Sequence, residues 1–159
     1  MAIPAYMWVK DDGGADIKGS VDVTGREGSI EVVSFMHGLN IPTDDFTGKL
    51  TGVRVHSAME IEKEFDSSSP YLYKAVSTGQ TLKSVEIRWY RINHAGQEEV
   101  YFIMLLENVK IVGINPIMHN IKTHEKMNHL ESVLIRYEKI TWKYCEGNIL
   151  HSDTWKERA

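Results

Sequence analysis

The chain has 159 residues and a mass of 18.2 kDa, carries a net charge of -4 with a pI near 6.0, and contains one cysteine, Cys145. A folded chain of this mass keeps exposed roughly 8,100 Å² of roughly 26,000 Å² in the unfolded state, enough burial for one core, so a single domain over 1–159 is expected. With 42% hydrophobic and 25% charged residues the composition excludes a disordered or collagen-like chain. The acidic balance argues against a dedicated nucleic-acid binder, and one cysteine excludes an intrachain disulfide.

No segment is a candidate for crossing a bilayer as a helix: the longest apolar run, Val100 to Leu106, falls far short of the ~20 residues needed. The N-terminus lacks a basic region and meets Lys10-Asp11-Asp12 before a cleavable signal is complete, so ordinary secretory export is not expected.

In chain order, Ile3 to Val9 reads as a strand and Asp11 to Asp16 as a turn. Ser29 to His37 is a second strand, followed by a long polar connection, Gly38 to Thr51, of a length that compact domains usually keep for function. Gly52 to Phe65 is a third strand. It carries Glu60, Glu62, Glu64 and Asp66 on one parity, a face expected to be solvated, against Met59, Ile61, Lys63 and Phe65 on the other. A single short helix over about 70–78 is signalled by Ser69 as N-cap, Pro70 at the first position, an apolar stripe of Leu72, Ala75 and Val76, and Gly79 as its end. Lys83 to Ile92 alternates as a half-buried strand and turns at Asn93-His94-Ala95-Gly96 into Val100 to Leu106, apolar on both faces. Val109 to Ile114 is expected to return as a further strand. In the last strand Val133, Ile135 and Tyr137 share one parity whereas Ile140, Trp142 and Tyr144 share the other. Either a bulge or bend near Glu138 turns both sets inward, or the second set faces another neighbour, such as a second subunit.

Chemistry is sparse. The sequence contexts of a serine nucleophile, a dinucleotide-binding fingerprint and a phosphate loop are absent; Thr47-Gly48-Lys49-Leu50-Thr51 resembles the last only superficially. His119, His124 and His129 recur every five residues, but a zinc-binding helix needs four, and no second cysteine accompanies them, so no metal is expected. Asp11, Asp12 and Asp16 lack the spacing of a calcium loop. Cys145 reads as a small hydrophobe. A hydrolase would need a buried histidine–carboxylate pair lining a pocket. A β-rich domain with a long polar loop and no catalytic constellation points instead to binding or assembly, since open strand rims must be blunted or paired.

Particular strings carry more. Ser68-Ser69-Pro70-Tyr71-Leu72-Tyr73-Lys74-Ala75 with Gly79-Gln80-Thr81-Leu82, Trp89-Tyr90-Arg91-Ile92, Leu106-Glu107-Asn108-Val109, Asn128-His129-Leu130-Glu131 and Arg136-Tyr137-Glu138-Lys139-Ile140-Thr141-Trp142 resemble the haemolysin-coregulated protein family (Hcp). The opening Met1-Ala2-Ile3-Pro4-Ala5-Tyr6-Met7 and the closing His151-Ser152-Asp153 do so as well. The resemblance implies a mainly β fold, a small β-barrel of two antiparallel sheets with one short flanking α-helix. It implies a non-enzymatic tube subunit of the type VI secretion system, without cofactor or metal, that forms hexameric rings stacked into a hollow tube. The implied partners are other copies of the chain, the spike protein, the contractile sheath and effector cargo in the lumen, with no nucleic acid and no membrane insertion. The protein would be cytoplasmic before firing, then secreted without a signal peptide. No fused C-terminal toxin domain is expected, since the sequence stops at Ala159.

In that family ring-to-ring contacts lean on an extended loop, matched here by Gly38 and Leu39, by Thr47, Gly48, Lys49, Leu50, Thr51 and Gly52, and by Arg54 and His56 just after. Lys49 and Arg54 are expected to meet carboxylates of a neighbouring subunit. Two features depart from the family pattern: the acidic Ser57-Ala58-Met59-Glu60-Ile61-Glu62, and Cys145. The alternative of a different class is a monomeric secreted carbohydrate- or peptide-binding β-domain.

Overall fold

A computed structural model describes residues 2–155; Met1 of the opening string and 156–159 of the expected domain lie outside the described residues. Eleven strands and one helix follow in the order β1 (Ala5–Lys10), β2 (Asp16–Ile17), β3 (Ile30–Val32), β4 (Ser34–Met36), β5 (Leu39–Asn40), β6 (Val55–His56), β7 (Met59–Glu64), α1 (Ser69–Thr78), β8 (Thr81–Ile92), β9 (Glu98–Ile117), β10 (Leu130–Tyr144) and β11 (Ile149–Thr154). All pairings are antiparallel. Nine strands form one sheet along the path β2-β1-β8-β9-β10-β7-β4, with β3 on β1 and β11 on β10, while β5 and β6 form a separate two-stranded ribbon.

The fold class expected from the sequence is met: mainly β, two antiparallel sheets, one short helix. The large sheet curls round the core but is not a sealed cylinder. Ser29 to His37, expected as one strand, changes partner at Val33: β3 pairs β1 along its length and β4 pairs β7. The core gathers Met7, Ile30, Met59, Ile61, Leu82, Ile87, Leu106, Ile135 and Ile140, with Leu72 and Ala75 of α1 packed on it. The helix starts one residue earlier than expected, with Ser68 as N-cap, and ends at Gly79 in the left-handed region at φ 66. There the N–H of Gly79 donates to the Val76 carbonyl and that of Gln80 to the Ala75 carbonyl.

Two expected strands, Val100 to Leu106 and Val109 to Ile114, are one. β9 runs through Asn108, which takes φ 53 without adding a residue: Leu82↔Val109 and Ser84↔Glu107 on one side, and Tyr137↔Val109 and Lys139↔Glu107 on the other, keep one register. Leu82, Val109 and Tyr137 are buried on one side of that row and Val85, Leu106 and Ile140 on the other, so all three strands change inward parity together. The two trios of β10 therefore serve the same core, with Ile140 fully buried and Trp142 packed against it. No register shift occurs at Glu138; the one in this ladder lies at Leu134/Ile135. Asn108 Nδ2 donates to Glu138 Oε2 at 2.9 Å across the row.

The acidic strand departs from expectation at one end. Glu60 and Glu62 are half-buried and Glu64 is exposed, but the Asp66 side chain is buried beside Lys63. Lys63, on the inward parity with Met59 and Ile61, is fully buried. Its ammonium donates to Glu131 Oε1, to Ser69 Oγ at 3.2 Å, and lies 3.1 Å from Asp66 Oδ1, while Ser69 Oγ donates to Glu131 Oε1 at 2.6 Å. Such a pair is costly to break and cheap to replace as a whole. Lys63→Ala is expected to lower unfolding free energy by about 3–5 kcal/mol, whereas Lys63→Met with Glu131→Leu recovers most of that loss, as read by urea denaturation.

Candidate functional site

The polar connection between β4 and β7 folds as an arm. Its ladder continues the β4–β7 hairpin outward: Met36↔Glu60, then Leu39↔His56 and Asn40↔Val55, then an isolated bridge Thr43↔Leu50. Ser57 closes the foot, where its Oγ accepts from Gly38 N–H at 2.8 Å and its N–H donates to the Gly38 carbonyl at 2.9 Å. Further out, Thr51 N–H donates to the Pro42 carbonyl at 2.9 Å and Asp44 N–H to the Lys49 carbonyl at 2.7 Å. At the tip Asp44 Oδ1 accepts from the N–H groups of Phe46 (2.8 Å) and Thr47 (2.9 Å), which holds its carboxyl below the usual carboxylate range. Gly48, at φ 73, supplies the left-handed turn that brings the chain back.

The arm offers solvent an apolar surface. Phe46 at the tip is 98% exposed and Leu50 67%, with Leu39, Ile41, Val53 and Val55 also exposed. Of the residues singled out from the sequence, Gly38, Leu39, Thr47, Gly48, Lys49, Leu50, Thr51 and Gly52 all lie on the arm and are exposed or half-buried. Phe46 was not among them, although a lone aromatic within a polar loop is the signal that marks it.

Arg54 and His56 lie at the foot of the arm and are bonded within the chain. Arg54 Nε donates to Asp153 Oδ2 at 2.7 Å and Nη2 donates to the Thr154 carbonyl at 2.8 Å, so the carboxylate it meets belongs to its own chain. His56 is 1% exposed, with Nε2 2.7 Å from the same Asp153 oxygen and Nδ1 2.6 Å from Tyr137 Oη; His37 Nε2 lies 2.8 Å from that hydroxyl. The Arg54 guanidinium holds the Asp153 carboxyl below its ordinary range, with the His56 contact adding to it, so Asp153 is an acceptor only. With the His56 ring neutral, the donors run from His37 Nε2–H to Tyr137 Oη, from Tyr137 O–H to His56 Nδ1, and from His56 Nε2–H to Asp153. Burial, and after it the charge of Asp153, pushes the Tyr137 hydroxyl pKa up, so the proton stays on oxygen.

A buried histidine–carboxylate pair therefore exists, beside a small cavity lined by Val53, Arg54, Val55, His56 and Trp155. It does not make a hydrolase. A general base needs one ring nitrogen aimed at a nucleophile, and both nitrogens of His56 are committed, the second to a buried phenol that resists ionisation. The relay clamps the foot of the arm to β10 and β11. Of the histidines weighed as ligands, His119 and His124 lie with ring centroids 5.3 Å apart, and among the described residues no group of three or more His, Cys, Asp or Glu side chains is placed to hold a metal.

The structure defines a β domain with an exposed apolar arm whose histidine–carboxylate pair is spent on anchoring that arm. Residues 6–144 match the family model described as "Type VI secretion system effector, Hcp". The chain is 39% identical to the "Major exported protein" of Pseudomonas aeruginosa, over 98% of this chain and 97% of that protein. Among solved structures it is 66% identical to the Hcp1 protein of E. coli EAEC 042 (TM-score 0.89, covering 97% and 99% of the two chains) and 33% identical to secreted protein Hcp3 of P. aeruginosa (TM-score 0.81, 98% and 100%). The chain belongs to the Hcp family of type VI secretion tube proteins.

The relay has a pH consequence. Burial first, then the proximity of His56, lowers the pKa of His37, so folding favours its neutral ring. The stability this contributes is complete above the unfolded value of about 6.5 and is lost as pH falls through the folded one. His37→Gln keeps a donor for Tyr137 without titrating. Thermal unfolding from pH 8 to pH 5 is expected to fall more steeply for the parent chain than for His37→Gln; parallel profiles would remove this account.

Proposed function

We propose that the chain is a subunit of the inner tube of a type VI secretion apparatus, forming hexameric rings that stack through the arm into a hollow tube. The observation that carries this reading is the arm itself: an anchored ribbon whose apolar side chains, led by Phe46, are exposed in the described residues. Surface area supports it. The chain exposes 10032 Å², against roughly 8,100 Å² for a compact monomer of this mass, and the excess is about twice the ~800 Å² that each partner buries in one standard interface. The tube would carry effectors in its lumen, meet the spike protein and the contractile sheath, and be exported from the cytoplasm without a signal peptide, in keeping with the name of its exported P. aeruginosa relative. No residue is assigned a catalytic role.

Lys49, exposed on the arm, would pair with a carboxylate of the adjacent ring. Rim pairs of that kind contribute about 0–1 kcal/mol and set register more than affinity. Light scattering coupled to size exclusion should report the mass of a hexamer, and a monomer at every concentration would favour a small binding domain instead. Lys49→Glu is expected to shorten stacks in electron micrographs while leaving single rings intact; unchanged stacking would release Lys49 from this role.

A further inference from the structure

The relay at the foot of the arm has room for one added proton but not for two. Tyr137 is buried, and its Oη lies between two imidazoles, 2.8 Å from His37 Nε2 and 2.6 Å from His56 Nδ1, while His56 Nε2 is engaged by Asp153. A phenol has one hydrogen to give and two lone pairs to receive with. With both rings neutral, His37 donates to the hydroxyl and the hydroxyl donates to His56. One added proton is absorbed without losing a bond: a charged His56 donates from both nitrogens, to Asp153 and to Tyr137, and the hydroxyl turns round to donate to a bare Nε2 of His37. A second proton has no such place. Both rings then donate to Tyr137, neither can accept its hydrogen, and two cations meet across one buried oxygen.

The surrounding charges do not offset the second proton. On β11, Asp153 already accepts from Arg54 and His56 through one oxygen, at 2.7 Å each. Arg54 is itself a cation, and so is Arg136 on β10, whose Nη1 donates to the His56 carbonyl at 3.4 Å. Phe35 and Trp155 bring rings against His37 and His56. The repulsion therefore acts across the joint between arm and sheet: His37 stands just before β5 and His56 ends β6, whereas Tyr137 and Asp153 belong to β10 and β11. Beyond that joint the ribbon has two rungs and one bridge to hold it.

We propose that the foot of the arm is an acid-operated latch: one proton on the His37–Tyr137–His56 relay leaves the arm docked on β10, and a second releases it while the sheet stays folded. This goes beyond the assembly reading and does not depend on it, since every group involved lies in one chain. His37 takes the second proton, because burial and then His56 lower its pKa whereas His56 has Asp153 as counter-ion. Asp153, held below the usual carboxylate range by Arg54, stays ionised throughout. Release sets in below about 6.5, and its equilibrium constant grows by up to about tenfold per pH unit until the folded value of His37 is reached.

The test is amide hydrogen exchange read by mass spectrometry on the full chain from pH 8 to pH 5, corrected for the intrinsic effect of pH and run at a concentration where light scattering shows no stacks. Segment 38–56 should lose about tenfold in protection while β8 and β9 keep theirs. His37→Gln completes the hydrogen bonds whether His56 is charged or neutral, because an amide can donate to Tyr137 or accept from it. Its arm should therefore hold its protection over the same range, with β8 and β9 reporting that the chain is folded. Tyr137→Phe, which removes the hydroxyl, should show at pH 8 the loosened arm that the parent chain shows at pH 5. Four results would each overturn the proposal: an arm equally protected at both pH values, parallel loss in parent and His37→Gln, loss from β8 and β9 together with the arm, or a Tyr137→Phe arm as protected as the parent's.

Discussion

One carboxylate oxygen, Asp153 Oδ2, accepts from both Arg54 Nε and His56 Nε2 at 2.7 Å, and the arm depends on it. A two-stranded ribbon with two ladder rungs and one bridge is not stable by itself in water, and this one has no core to lean on. Its direction must therefore be imposed from the foot. Asp153 on β11, Tyr137 on β10 and His37 beyond β4 impose it, each on a different segment of the chain. The interactions are short and charge-assisted, the kind that fix orientation rather than merely exclude water.

Strand β7 carries this logic to its other end. Lys63 shares the inward parity of Met59 and Ile61, and its ammonium is met by Glu131, Asp66 and Ser69. A slip of one residue would drive Glu60 and Glu62 into the core and leave Glu131 buried without its cation. The buried ions thus penalise the wrong register more than they stabilise the right one. Register matters here because β7 carries the arm, and a slip would displace the foot of the arm from Tyr137 and Asp153.

Much of this was legible in the sequence because it is local. Period-two alternation located β8 and the inner part of the expected strand 52–65, which breaks between β6 and β7 at Ser57; Pro70 and Gly79 bounded the helix to within a residue at each end, and the length of 38–51 marked the arm. What the sequence hid is non-local. Arg54 was expected to seek a neighbour's carboxylate, and nothing along the chain says that its partner lies 99 residues away in the same molecule. Alternation placed Lys63 on the parity of Met59 and Ile61, but its partner Glu131 is 68 residues away and nothing local names it. Val100 to Leu106 and Val109 to Ile114 were expected as two strands, whereas β9 runs unbroken through Asn108 at φ 53. Only the ladders on both sides reveal that three strands turn over at that row together. The break at Val33 is hidden for the same reason: it arises from a change of partner, not from a residue that breaks strands.

Apolar contact is strong but undirected, so a tube built on it would need its direction supplied by something else. Here the two properties are separated along one ribbon. The foot is polar, buried and geometrically exacting, and sets where the arm points; the tip is apolar and exposed, and would supply the affinity once pointed.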